Sequence, residues 1–215
     1  MSEYYERYWS KKMGGGDFET KWPAIRGFVP TREEIVIVDF GCGKGHLIEA
    51  MHELNPQARY IGLDVSHRAL AESKGRLGFA EFHHIEDGGR LPLGDGSADF
   101  VMASEVLEHV YDTVATLSEL RRILKPEGAL LVTTPYHGIV KNLLIALFKF
   151  NDHFNPRGSH VRFYTKRSLF GCLEASGFVP QNYGYFGRFW PVPHCIYVLS
   201  RKNALVRRGE AARKT

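Results

Sequence analysis

The chain has 215 residues, 44% hydrophobic and 24% charged, the balance of a soluble globular protein with room for one full core. Its formal charge of +4 is mild, and most of that excess sits in the tail Arg207-Arg208-Gly209-Glu210-Ala211-Ala212-Arg213-Lys214. A body this close to neutral excludes DNA as a partner and disfavours RNA.

Residues 1–34 are aromatic and polar, with Tyr4, Tyr5, Tyr8, Trp9, Phe18 and Trp22, and read as an N-terminal cap segment. A short helix is expected over Tyr4–Lys12 and a break at Gly14-Gly15-Gly16, with Pro23 and Pro30 bracketing the way into the first strand. Ile35-Val36-Ile37-Val38 is a β-branched run that ends in Asp39 and breaks into Gly41, Gly43 and Gly45. Leu47, Ile48, Ala50, Met51 and Leu54 follow at helical spacing, so the stretch reads strand–turn–helix. The second strand, Arg59–Leu63, ends in Asp64. A helix over 65–77, a third strand near 79–85, a glycine-rich loop over 88–96 and a fourth strand over 98–103 come next. A helix over 111–124 leads to a fifth strand over 128–134. After an insertion at 136–164, a helix over 166–176 precedes two strands, 178–189 and 192–202, expected to form an antiparallel pair. The residues from 203 to 215 read as a frayed basic tail.

Strands alternating with helices mean a doubly wound, largely parallel α/β sheet, whose ligands bind at the carboxyl ends of the strands. Asp39, Asp64, Ser104 and Thr134 all fall there. Within the insertion, Ile139, Val140, Leu143, Leu144, Leu147 and Phe148 form one helical stripe. A lid packed over the substrate pocket is the favoured reading, with contact to a membrane or a lipid-like acceptor through 139–150 as the rival. The odd and scattered Cys42, Cys172 and Cys195 fit a reducing compartment and form no metal motif. No apolar run approaches the ~18 residues of a membrane span, and none follows Met1 as a leader would, so a cytoplasmic location is expected.

The glycine turn departs from the dinucleotide fingerprint: its third glycine comes one residue early, His46 stands where that fingerprint wants glycine, and an acid precedes the first glycine. A methyl-donor adenosine cofactor carries an amino-acid tail and ribose hydroxyls but no pyrophosphate. Asp39 suits the positive end of that tail and Asp64 the ribose. VDFGCGKGH, GLDVS, LPLGDGSADFVMASEVLEHV and LRRILKPEGALLVTTP together resemble the class I S-adenosylmethionine-dependent methyltransferases, from about Ile35 to Pro135 and in the family's order. Ubiquinone-pathway O-methyltransferases are the similar small-molecule type. The resemblance implies a Rossmann-like, seven-stranded, mostly parallel sheet with an antiparallel last strand, over a methyltransferase domain of residues 35–202. It also implies S-adenosyl-L-methionine as cofactor, with Gly41 and Gly43 under its methionine part and Asp39 near its ammonium. Asp64 would hold the ribose, Val65 would lie beside the adenine and Asp87 would face its amino group. Ser104 would stand at the cofactor edge.

Methyl transfer from a sulfonium needs chiefly alignment, and a hydroxyl acceptor also needs a base. His109, directly after the fourth strand, and His160, at the end of the insertion, are the candidate catalytic residues. Glu105, Glu108 and His109 are spaced as one helix face. Three readings compete for them: structural acids with Glu105 at a helix N-terminus, an imidazole base, or a divalent metal held by Glu105, Glu108, His109 and His160. The metal ranks last, although the ubiquinone-pathway enzymes and small-RNA 2′-O-methyltransferases show a similar placement. The expected function is methyl transfer to a small or lipid-like acceptor, at oxygen. The alternatives are a metal-assisted RNA 2′-O-methyltransferase, a non-catalytic cofactor-binding scaffold and, last, a dehydrogenase.

Overall fold

The computed structural model describes residues 18–155 and 158–203. The expected helix over Tyr4–Lys12, the Gly14-Gly15-Gly16 break and the tail beyond Asn203 lie outside the described residues. In chain order the elements are α1 (Phe18–Ile25), β1 (Val36–Phe40), α2 (His46–Leu54), β2 (Arg59–Asp64), α3 (His67–Arg76), β3 (Ala80–His84), β4 (Ala98–Ser104), α4 (Thr113–Ile123) and β5 (Leu124–Pro135). After them come α5 (Ile139–Phe148), α6 (Phe150–His153), α7 (Lys166–Ala175), β6 (Phe178–Phe186) and β7 (Cys195–Lys202). Pro23 falls inside α1 instead of marking the way into β1.

One sheet holds all seven strands in the order β3-β2-β1-β4-β5-β7-β6. β1 pairs in parallel with β2 and β4, β2 with β3, and β4 with β5. Helices make the crossovers from β1 to β2, β2 to β3 and β4 to β5, and the loop over 85–97 carries the chain from β3 back to β4. The connection from β6 to β7 is too short for that, so β7 runs antiparallel, to β6 on one side and to β5 on the other. This is the expected Rossmann-like architecture.

β4 is buried at every position, the mark of a central strand covered on both faces. Alternation splits its side chains. Phe100 and Met102 pack with Ile37, Ile48, Met51 and Tyr60 on one side, and Val101 and Ala103 with Val38, Leu117 and Leu120 on the other. Fully burying a leucine such as Leu117 contributes about 1.5–3 kcal/mol. Local caps set the helix starts: Ser66 accepts from the Ala69 N–H ahead of α3, and Asp112 from the Ala115 N–H ahead of α4.

The stripe on α5 does not pack as a lid. Ile139 is 87% exposed and Phe148 77%, and Leu143, Leu144 and Leu147 also face outward; the residue that α5 buries is Lys141. Its Nζ donates to the carbonyls of Tyr136 (2.7 Å) and His194 (3.1 Å), where β5 ends and β7 is about to begin. That anchor lies on the face away from the stripe, so fastening the helix through Lys141 turns the apolar side outward. No helix among the described residues is long and apolar enough to cross a membrane.

Candidate functional site

At the carboxyl end of β1, Gly41, Gly43 and Gly45 have φ of +77°, +50° and +74°, a left-handed conformation that costs a side-chain-bearing residue roughly 1–2 kcal/mol. A Cβ on Gly41 would lie 2.3 Å from Val106 Cγ2, so the turn also presses against the segment after β4. The Gly43 N–H donates to Asp64 Oδ2 (2.7 Å) and the Ser66 N–H to Asp64 Oδ1 (2.8 Å). Asp64 thus shapes the glycine turn and the start of α3 together.

Asp39 is 1% exposed, and its Oδ2 has no hydrogen-bond partner among the described residues. Burial pushes its carboxyl up to about 7, with the Lys21 ammonium pulling down and the Asp64 charge adding to the rise. A buried carboxylate without a partner is costly, and an ammonium group is the ligand that relieves it. The turn and its two acids therefore fit the amino-acid tail and ribose of S-adenosylmethionine, with Gly41 and Gly43 leaving room for close backbone approach.

Farther along the same edge, Val65 is half-buried, its carbonyl accepting from His84 Nε2 (3.1 Å). Asp87 lies exposed in the turn after β3. Ser104 is buried and its Oγ meets Thr133 Oγ1 at 2.9 Å. Because Thr133 gives its hydrogen to Glu105 Oε1 (2.8 Å), Ser104 must be the donor to Thr133. Its hydroxyl hydrogen is spent within the β4–β5 edge, leaving only lone pairs toward a ligand.

The expectation of one helix face for Glu105, Glu108 and His109 fails. Glu105 adopts φ +56°, which breaks any helix at its first residue, and only a 3-10 turn, Leu107–His109, forms before α4 starts at Thr113. Glu105 therefore caps no helix: its Oε1 accepts from Thr133, and Cys195 Sγ approaches its Oε2 at 3.6 Å. Glu105 is not among the residues whose ligand atoms come together.

The remaining three come together. Glu108, His109 and His160 each place a ligand atom within 4.8 Å of the others. The Val161 and Arg162 N–H groups donate to the Glu108 carbonyl (2.8 and 3.1 Å), pulling the end of the insertion onto the 3-10 turn. The His109 and His160 rings meet edge-on, 4.9 Å between centroids. His109 Nδ1 lies 2.9 Å from the Ser159 carbonyl, which can only accept, so Nδ1 carries the hydrogen and Nε2 the lone pair. Burial pushes His109 below its ordinary value, and His160 down to about 4, where the charges of His109, His137, His153 and His194 add to the effect. Both imidazoles are neutral at pH 7. Glu108, buried and bonded by Thr134 Oγ1 (3.0 Å), is pushed up by burial and then by the Glu105 charge.

Two residues of the site have no motif to announce them. Lys21 on α1 pulls down both Asp39 and Glu108, so its charge reaches the cofactor side and the histidine side. Lys141 is hidden in the sequence because an apolar stripe surrounds it. The aromatic bias of residues 1–34 was the available signal for the first; the second had none.

Comparison with known proteins agrees with this geometry. A family model described as a methyltransferase domain matches residues 18–182. A probable S-adenosylmethionine-dependent methyltransferase of Mycolicibacterium smegmatis is 33% identical over 151 residues, covering 70% of this chain; the chain spans 54% of that relative's length. The ubiquinone biosynthesis O-methyltransferase of Burkholderia vietnamiensis is 26% identical over 194 residues, 82% of this chain and 79% of that protein. Among solved structures, an S-adenosylmethionine-dependent methyltransferase from Mesorhizobium loti superposes with a TM-score of 0.68 over 85% of this chain and 97% of that one, at 21% identity. The chain belongs to the class I S-adenosylmethionine-dependent methyltransferases. The cofactor of that family is S-adenosylmethionine, the molecule that the glycine turn, Asp39 and Asp64 fit.

Proposed function

We propose that the protein methylates a small or lipid-like acceptor at an oxygen atom. The observation that carries this reading is the meeting of Glu108, His109 and His160 at the sheet edge that also bears Asp39 and the glycine turn. Bound there, S-adenosylmethionine supplies an already activated methyl group. The chain's own part is to align the acceptor and remove its proton. His109, whose Nδ1 hydrogen is held by the Ser159 carbonyl so that Nε2 keeps the lone pair, and the neutral His160 are suited to take a hydroxyl proton. The similarity to an O-methyltransferase of ubiquinone biosynthesis supports an oxygen acceptor.

Calorimetric titration with S-adenosylmethionine, followed by a panel of phenol and hydroxy-acid acceptors, tests this reading. Asp64→Ala is expected to weaken cofactor binding about 10- to 100-fold, the worth of charge-assisted hydrogen bonds. Since Asp64 also holds the Gly43 and Ser66 N–H groups, Asp64→Asn and a melting curve separate lost affinity from lost fold. His160→Ala is expected to keep cofactor affinity and lower turnover by about 10²–10⁴. The same three donors also suit a divalent cation. Turnover abolished by a chelator and restored by Mg²⁺ would assign the cluster to a metal instead of a proton.

A further inference from the structure

The outward face of α5 is large, apolar and next to the histidine cluster. Ile139 and Phe148 are 87% and 77% exposed, with Leu143 and Leu147 between them. A second exposed pair, Phe189 (78%) and Trp190 (68%), stands on the β6–β7 connection. These two segments are neighbours. Lys141 of α5 bonds the His194 carbonyl, and the Arg188 charge is near enough to bear on Lys141. A ladder of rings joins them as well, Tyr136 to Tyr185 at 4.8 Å and Tyr185 to Trp190 at 5.6 Å. Such a patch, built by two separate segments, is more than scattered surface apolarity.

Charge says what covers it. Leaving aside the buried Lys141, from 136 to 174 the chain carries Lys149, Arg157, Arg162, Lys166 and Arg167 against two acids, Asp152 and Glu174. Lys149 and Arg188 are exposed beside the patch itself. Aliphatic side chains on a helix, an exposed tryptophan at their border and bases around them are the features of a segment lying in the headgroup region of a bilayer. A nucleic acid would match the bases and leave the leucines and phenylalanines in water. We propose that α5 and the 187–191 connection dock the protein on an anionic lipid surface, which brings the segments bearing His137 and His153 against the bilayer. His137 shortly precedes α5 and His153 closes α6, with 5.2 Å between their ring centroids, so both lie at the ends of the docking helices.

Vesicle co-sedimentation of the full chain tests this without cofactor or acceptor, so it stands or falls apart from the methyl-transfer reading. Vesicles of phosphatidylcholine with about one third phosphatidylglycerol are expected to pull the protein down at moderate salt, and pure phosphatidylcholine to do so at least tenfold less well. Leu143→Asp with Leu147→Asp, both at exposed positions, should abolish binding, and Lys149→Glu should weaken it at least about fivefold. Leu54→Gln serves as control, because α2 ends at the opposite, amino-terminal edge of the sheet. Melting curves should be unchanged in all variants. The proposal is overturned if the protein ignores both kinds of vesicle or binds both equally. It is overturned too if light scattering finds a dimer that the aspartate pair breaks, or if single-stranded RNA displaces the protein from the vesicles.

Discussion

Asp39 is a buried carboxyl whose Oδ2 has no hydrogen-bond partner among the described residues. Its folded value of about 7 stands above the ordinary 3.8. Between those values the native state keeps a proton that the unfolded chain has lost, so this group's contribution to stability is full below pH 3.8 and is lost as pH rises through about 7. A bound ammonium reverses that preference by favouring the ionised form. Affinity for S-adenosylmethionine should therefore fall about tenfold for each pH unit below about 7 and level off above it. Asp39→Asn should flatten the profile and weaken binding at pH 8, and calorimetric titration at pH 6, 7 and 8 reads both effects. The acid before the glycines was plain in the sequence; that its Oδ2 is buried without a hydrogen-bond partner is decided by the packing around β1.

The element that matters most for the site is the 3-10 turn at Leu107–His109, and one buried tyrosine holds it. Tyr164 Oη donates to the Leu107 carbonyl (3.0 Å), so Thr113 Oγ1 must be the donor in their mutual bond (2.6 Å). Burial pushes the phenol up to about 12, so it remains a donor across the working pH range. Tyr164→Phe strands a carbonyl and a hydroxyl, and should cost about 1–3 kcal/mol in urea denaturation. It should also lower turnover with cofactor affinity retained, because the turn it releases positions His109 against His160. The spacing of Glu105, Glu108 and His109 suggested a helix face, and the suggestion failed at one backbone angle. Glu105 takes its left-handed conformation because its N–H is drawn to the Thr133 carbonyl (2.9 Å), a contact across β5 that local spacing cannot contain.

For the whole molecule, the two edges of the sheet do different work. At the amino end Asp99 ties three segments: Oδ1 to Arg32 (2.5 Å), and Oδ2 to the Val36 N–H (3.0 Å) and to Lys125 (2.6 Å). Burial raises its carboxyl, but the Lys125 and Val36 hydrogen bonds and the charges of Lys125 and Arg32 outweigh that and hold it below the ordinary range. Stability from this group is therefore present above pH 3.8 and lost as pH falls through the depressed value. Arg32 and Lys125 face solvent, so screening limits their share; Asp99→Asn should cost about 1–2 kcal/mol at pH 7, with the gap closing toward pH 3 in urea denaturation. The carboxyl edge carries instead the unsatisfied groups: the Asp39 oxygen, the neutral histidines and the outward face of α5. Stability concentrates at one end and chemistry at the other, as parallel α/β sheets arrange them.

Sequence alone determined the order of strands and helices, the glycine turn with its flanking acids and the family, because each is written in short-range spacing and in the period of burial. It marked 178–189 and 192–202 as a terminal antiparallel pair, since a short connection acts within a few residues, whereas the central place of β4 came from the sheet order. Only the tertiary structure decided which side chains meet. His109 and His160, fifty-one positions apart, converge because Tyr164 and the Glu108 carbonyl draw the insertion onto the 3-10 turn. Glu105 leaves them because β5 captures its backbone, and the α5 stripe faces outward because Lys141 is anchored to two carbonyls. Each outcome rests on hydrogen bonds between distant segments, and these form only once the sheet has set the segments side by side.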